Sequence, residues 1–117
     1  MLVQDRMREI TQRIAHLAQD ILVLRLTEET LRLTIVLNDA TTLRIIERWQ
    51  GNHLTRYSYY WLDAQDETKV GWDNAPHHTQ LPNFPHHKHI GVQGKLCASD
   101  EVCLEDIIPL LEQEITR

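Results

Sequence analysis

Residues 31–62 read L-R-L-T-I-V-L-N-D-A-T-T-L-R-I-I-E-R-W-Q-G-N-H-L-T-R-Y-S-Y-Y-W-L, and their period decides the fold. Leu31, Leu33, Ile35 and Leu37 alternate with Arg32, Thr34 and Val36, the two-residue period of a half-buried strand. Asn38-Asp39 then turns the chain, and Thr42 to Gln50 resumes the alternation with Leu43, Ile45 and Trp49 on one face. Gly51-Asn52 is a two-residue turn of the kind that joins antiparallel strands. His53 to Leu62 follows, sending Tyr57, Tyr59 and Trp61 one way and Arg56, Ser58 and Tyr60 the other.

Outward from this core, Ile21 to Leu26 reads as an earlier strand, joined to Leu31–Leu37 through Thr27-Glu28-Glu29-Thr30. Thr68 to Asp73 reads as a later one, beyond a turn at 63–67. That makes an antiparallel meander of about five strands. Before it, Val3, Met7, Ile10, Ile14, Leu17 and Ile21 recur every three or four residues, one apolar stripe of a helix with Arg6, Gln12 and Arg13 around the other side. After it, Leu104, Ile107, Ile108, Leu111 and Ile115 predict a closing acidic helix that Pro109 starts near Asp106 or kinks. The class is α+β, in one domain over 1–117.

The segment from Trp72 to His89, W-D-N-A-P-H-H-T-Q-L-P-N-F-P-H-H-K-H, holds five of the seven histidines and three of the four prolines. Pro76, Pro82 and Pro85 forbid a helix and stiffen the backbone, so the segment reads as a histidine- and proline-rich loop. Where His86 to His89 is extended, alternation puts His87 and His89 on one face and His86 and Lys88 on the other. Imidazole titrates near neutrality and is the commonest nitrogen ligand of transition metals, so the cluster points to proton transfer or metal binding.

Composition narrows the rest. The net charge of −5 falls entirely after residue 98: residues 1–98 carry eleven basic and eleven acidic side chains. An acidic chain lacks the basic character of a free-standing DNA binder. Cys97 and Cys103 are too few for a disulfide framework and lack metal spacing, which fits a reducing cytoplasm. No apolar run could span a bilayer, so no membrane partner is expected. Arg25, Arg32, Arg44, Arg48 and Arg56 fall on successive strands, either as a phosphate-binding stripe or as a solvated face paired with Glu28, Glu29 and Glu47.

The sequence Y-S-Y-Y-W at 57–61, W-D-N-A-P-H-H at 72–78, F-P-H-H-K-H at 84–89 and the final L-E-D-I helix together resemble the TumE-like toxin family, along essentially the whole chain. Pro109 is a departure from the uninterrupted final helix expected there. The resemblance implies the growth-inhibiting half of a bacterial toxin–antitoxin pair, neutralised by a cognate, DNA-binding antitoxin; a homodimer is a further partner the chain could form. The acidic residues after 98 offer such a basic partner a docking surface.

The residues leave three chemistries open. Metal-independent RNA cleavage would draw on Asp73, His77, His78, His87, Lys88 and His89, with Arg48 and Arg56 holding substrate and no cofactor. Metal-dependent hydrolysis would place a divalent ion on Asp73, His77, His87 and His89. A non-enzymatic binding module would use the histidines only to pack the loop against Trp61 and Trp72.

Overall fold

The computed structural model describes residues 1–115. Helix α1 (Val3–Ile14) and a 3₁₀ turn (Ala15–Leu17) lead into seven strands in chain order, and helix α2 (Leu104–Ile115) follows them. The strands are β1 (Ala18–Leu26), β2 (Thr30–Leu37), β3 (Thr42–Gln50), β4 (His53–Leu62), β5 (Thr68–Asp73), β6 (His87–Ile90) and β7 (Lys95–Ala98). All neighbours are antiparallel and sequential, a pure meander in one sheet.

The α+β class and the central strands stand as expected, but the sheet has seven strands where about five are legible. The added pair comes from the end of the histidine segment and the residues just after it. The segment is a loop only from Asn74 to His86, after which β6 runs back along β5 and β7 closes against it. The first helix is also shorter than its apolar stripe. It ends at Ile14, and Ile21 of the stripe belongs to β1.

Period-two alternation gives the sheet two unlike sides. Leu31, Leu33, Ile35, Leu43, Ile45, Tyr57, Tyr59, Trp61 and Trp72 are buried on one side. They meet Val3, Ile10, Ile14 and Leu17 before β1 and Leu104, Ile107, Ile108 and Leu111 from α2, forming a single core. Both helices therefore cover one side, and the other is open. Among the described residues no helix is long and apolar enough to cross a membrane.

Two polar features organise the helix side. Arg6, placed by the stripe on the outer face of α1, is instead buried. Its guanidinium donates to Glu47 of β3, Glu9 of α1 and Glu105 of α2. Pro109 lies inside α2 and is exposed, so the helix passes through it. Its start is set by Asp106, whose carboxylate accepts from the Val102 N–H at 3.0 Å.

The acidic C-terminal segment is less free than its charge implies. Glu105 belongs to the Arg6 cluster, Glu112 meets His16 at 2.8 Å, and Glu101 accepts from Trp72 Nε1 and Lys88 Nζ. Much of the charge expected to dock a partner is committed to holding the fold.

Candidate functional site

Strand pairing assembles the site on the open side. Asp73 ends β5 directly opposite His87 at the start of β6, and Gly71 lies opposite His89. Alternation puts Asp73, His87 and His89 on one face and turns Lys88 to the other, beside Trp72. Asp73 Oδ1 lies 3.0 Å from His87 Nε2, and Oδ2 lies 3.6 Å from His89 Nε2.

The loop brings in a third imidazole. Asn74 acts as a peptide surrogate at the strand end: its side-chain oxygen accepts from the Tyr57 N–H and its amide donates to Thr55 O. The Asp73 carboxylate also accepts from the Ala75 N–H at 3.0 Å, turning the chain back over the strands. His78 then stands edge-on to His87, with ring centroids 4.9 Å apart, and 6.2 Å from His89. His87 and His89 are themselves 5.0 Å apart.

The three histidines are not equivalent. His87 is 2% exposed, and its Nδ1 can only donate to the Pro85 carbonyl, 3.1 Å away. Its Nε2 then faces the Asp73 carboxylate. Asp73, His78 and His89 stay partly accessible. Asp73, His87 and His89 each offer a ligand atom within 4.8 Å of the others, a two-histidine, one-carboxylate set.

Other residues singled out in the sequence lie elsewhere. His77 is exposed, its ring 6.5 Å from His78, and it is not part of that ligand group. Lys88 is ion-paired to Glu101 at 3.1 Å on the helix side, so it cannot supply the cation at the cluster. His86 bonds the Tyr57 hydroxyl through Nδ1 at 2.9 Å; burial, and then the charge of His87, lower its pKa.

All five arginines fall on the open face. Registers place Arg25 opposite Arg32 and Arg48 opposite Arg56, with Arg44 opposite Tyr60. Two like-charge pairs set directly across a ladder destabilise a sheet, so each has an unmet demand for an anion. Among the described residues none of the five makes an ion pair: Glu47, one expected partner, is buried on the other side. Arg48 and Arg56 line a shallow concavity of about 300 Å³ with Thr30, Ile46 and Ser58. Ser58 lies opposite Asp73, so the arginine face and the histidine cluster are continuous.

Tyr60 was not legible as a site residue. It lies opposite Gly71, and a side-chain carbon at Gly71 would collide with Cε2, Cζ and Cδ2 of the ring. The ring therefore covers the glycine beside Asp73 and His89. Burial, then the charge of Asp73, raise its hydroxyl pKa. The available signal was the lone glycine inside β5, since glycine in a strand marks close approach by another group. Gly71→Ala is expected to swing Tyr60 outward and lower the melting temperature by only a few degrees, about 1 kcal/mol. Because both changes displace the same ring, Tyr60→Ala added to Gly71→Ala should cost less than the sum of the single costs. Thermal denaturation of the four proteins checks this, and full additivity would rule out the contact.

The family model described as Toxin TumE matches residues 5–117, and the chain belongs to that family. It is accordingly the toxin component of a toxin–antitoxin system, with a cognate antitoxin as its partner. No curated protein and no solved structure matches the chain.

Proposed function

We propose that this toxin acts on RNA, gripping the phosphate backbone on the arginine face and cleaving it at the Asp73–His78–His89 group. The observation that carries the reading is the shared surface: five arginines without ion-pair partners among the described residues, two pairs of them set against each other, run up to the histidine cluster. A polyanion satisfies all of them at once.

Transesterification needs no cofactor. A base takes the proton of the 2′-OH, the oxygen attacks phosphorus, and an acid protonates the departing 5′-oxygen, leaving a 2′,3′-cyclic phosphate. His89, oriented by Asp73 Oδ2, is the base in this reading, and His78, on the loop opposite, is the acid. His87 is a positioning residue, since its bonds to Pro85 O and Asp73 Oδ1 leave it almost no exposed surface. Arg56, two residues along β4 from Ser58, replaces Lys88 as the cation for the phosphorane. The partner in this reading is a DNA-binding antitoxin.

The test is cleavage of a single-stranded RNA by the purified chain, with the new ends examined for cyclic phosphate. Intact RNA would overturn the reading. The ligand set of Asp73, His87 and His89 favours one second reading, metal-dependent hydrolysis, and the Pro85 carbonyl bond to His87 Nδ1 is the outer contact that metal histidines commonly have. Chelation abolishing cleavage, with recovery on adding a divalent ion, would move the site to that reading.

Arg48→Gln with Arg56→Gln is expected to weaken RNA binding about 10-fold near physiological salt and to flatten the log–log salt slope by about 1.4, about 0.7 per lost phosphate contact. Fluorescence anisotropy on a His89→Ala background, where the RNA survives, measures both. An unchanged slope would remove these two arginines from the interface.

A further inference from the structure

Strand β1 leaves an apolar edge of the sheet bare. It forms one edge of the sheet, yet it reads A-Q-D-I-L-V-L-R-L, and Leu22, Val23, Leu24 and Leu26 are 46%, 49%, 57% and 42% exposed. Both sides of the strand are bare there. Leu2 of the N-terminus, 62% exposed, lines an open concavity with Leu26 on the helix side. Edge strands usually carry charge or proline where they would otherwise recruit another strand. Here the charges stand only at the ends of the apolar run, as Asp20 and Arg25.

We propose that β1 pairs antiparallel with β1 of a second copy, forming a two-fold homodimer with one continuous sheet. Its register argues for a second copy as occupant. The ladder to β2 shifts between Ala18 and Asp20 and between Val23 and Arg25, so Gln19 and Leu24 are extra residues; the laddered positions run Ala18, Asp20, Ile21, Leu22, Val23, Arg25 and Leu26, and the five around Leu22 set the register. Those five read acid, apolar, apolar, apolar, base. Self-pairing about Leu22 sets Leu22 against Leu22, Ile21 against Val23, and Asp20 against Arg25, with each pair on one face. Sliding the centre to Val23 would set Leu22 against Arg25, and sliding it to Ile21 would set Leu22 against Asp20. Only the Leu22-centred register joins every charge to its opposite and every apolar residue to another.

One local contact must give way. Asp20 Oδ1 accepts from its neighbour's amide, Ile21 N–H, at 2.9 Å. A carbonyl of the incoming strand takes over that amide and frees the carboxylate for Arg25 of the second copy. The two-fold axis stands normal to the sheet, so both arginine faces lie on the same side of the dimer. With Arg25 taken up by Asp20, a polyanion can run across Arg32, Arg44, Arg48 and Arg56 of both copies, with a histidine cluster toward each far end. The pairing itself does not depend on what the toxin cleaves.

Sedimentation equilibrium of the full chain from about 1 to 100 μM reads the result. The expected mass is twice that of the chain, and Arg25→Asp or Asp20→Arg alone should weaken dimerisation by about 10-fold or more, since two attractive pairs become repulsive. The charge-swapped double variant, Asp20→Arg with Arg25→Asp, should restore it. Far-UV circular dichroism confirms that each variant is folded, and Leu22→Lys gives an independent break in the same register. A monomer at every concentration would overturn the proposal, as would a dimer indifferent to both reversals. Protection of the β1 amides that appears only when antitoxin is added would assign the edge to that partner instead, and would equally overturn it.

Discussion

His89→Ala is expected to lower RNA cleavage by about 10²–10⁴-fold, the usual contribution of one positioned acid or base. The melting temperature should stay near that of the unaltered protein. His89 is partly exposed, and among the described residues its ion pair is the 3.6 Å contact to Asp73, so removing it costs the fold little. His78→Ala should produce a loss of similar size, because acid and base act in one step. His87→Ala should behave differently. It opens a hole in a buried position and frees Asp73 Oδ1, so it should lower stability as well as rate.

His87→Gln separates those two effects. The amide fills much of the imidazole's volume and can donate one hydrogen bond to Asp73, so stability should partly recover while cleavage recovers less. Single-turnover rates beside thermal melts distinguish the roles. Equal losses of rate and stability in all three alanine variants would mean that the histidines serve the fold and not the reaction. Growth inhibition on expression without the antitoxin gives the same ranking in cells.

The site was partly legible because two periodicities meet in it. Three prolines mark a loop within Trp72 to His89, though not its bounds, and alternation separates His87 and His89 from Lys88, as the β5–β6 ladder does. Which residues converge was less legible. His77 and His78 are adjacent in sequence, and only the turn built by Asn74 and Asp73 selects His78. Strand β7 went unread because four residues, Lys95 to Ala98, are too short for a periodic signal, although Gly91 and Gly94 at positive φ mark the turn before it.

The Arg6 cluster was missed for a different reason: each half looks ordinary alone. Arg6 falls three residues after Val3 and four before Ile10, which is core spacing on a helix. Glu47 falls between Ile45 and Trp49 on the inward parity of β3. A charge at an inward position on each of two elements is the signal, and only tertiary packing pairs them.

Disrupting that pair should produce the largest loss of stability in the chain. Glu47 is fully buried and Arg6 2% exposed, and every guanidinium N–H is used: Nε and Nη2 donate to Glu47 at 2.8 and 2.9 Å, Nη1 to Glu9 at 2.7 Å, and Nη1 and Nη2 to Glu105 at 3.0 and 2.9 Å. Glu47 also accepts from Trp49 Nε1 at 2.9 Å and from the Tyr59 hydroxyl at 2.5 Å. Arg6→Met leaves the buried Glu47 carboxylate without its counter-charge and should cost about 3–5 kcal/mol, whereas Glu47→Leu leaves Arg6 its pairs to Glu9 and Glu105 and should cost less. For Arg6→Met that is roughly 10–20 °C in melting temperature.

Arg6→Lys should not rescue, because a lysine offers three donors from a single point where five are in use. The double variant, Arg6→Met with Glu47→Leu, should recover part of the loss because neither charge is then left alone. Recovery stays incomplete, since Trp49 and Tyr59 still have polar atoms without Glu47. Acid should weaken the same cluster. Burial alone would raise the Glu105 pKa, but hydrogen bonding and the charge of Arg6 outweigh it and hold it below the ordinary value of 4.5. A depressed carboxylate pKa stabilises the fold above the unfolded value, and that contribution is lost as pH falls through the folded one. Glu105→Gln should therefore flatten the acid limb of the stability curve, measured by urea melts from neutral pH downward. An unchanged limb would place the acid sensitivity elsewhere. A double variant no more stable than the worse single one would mean that the cluster does more than neutralise two buried charges.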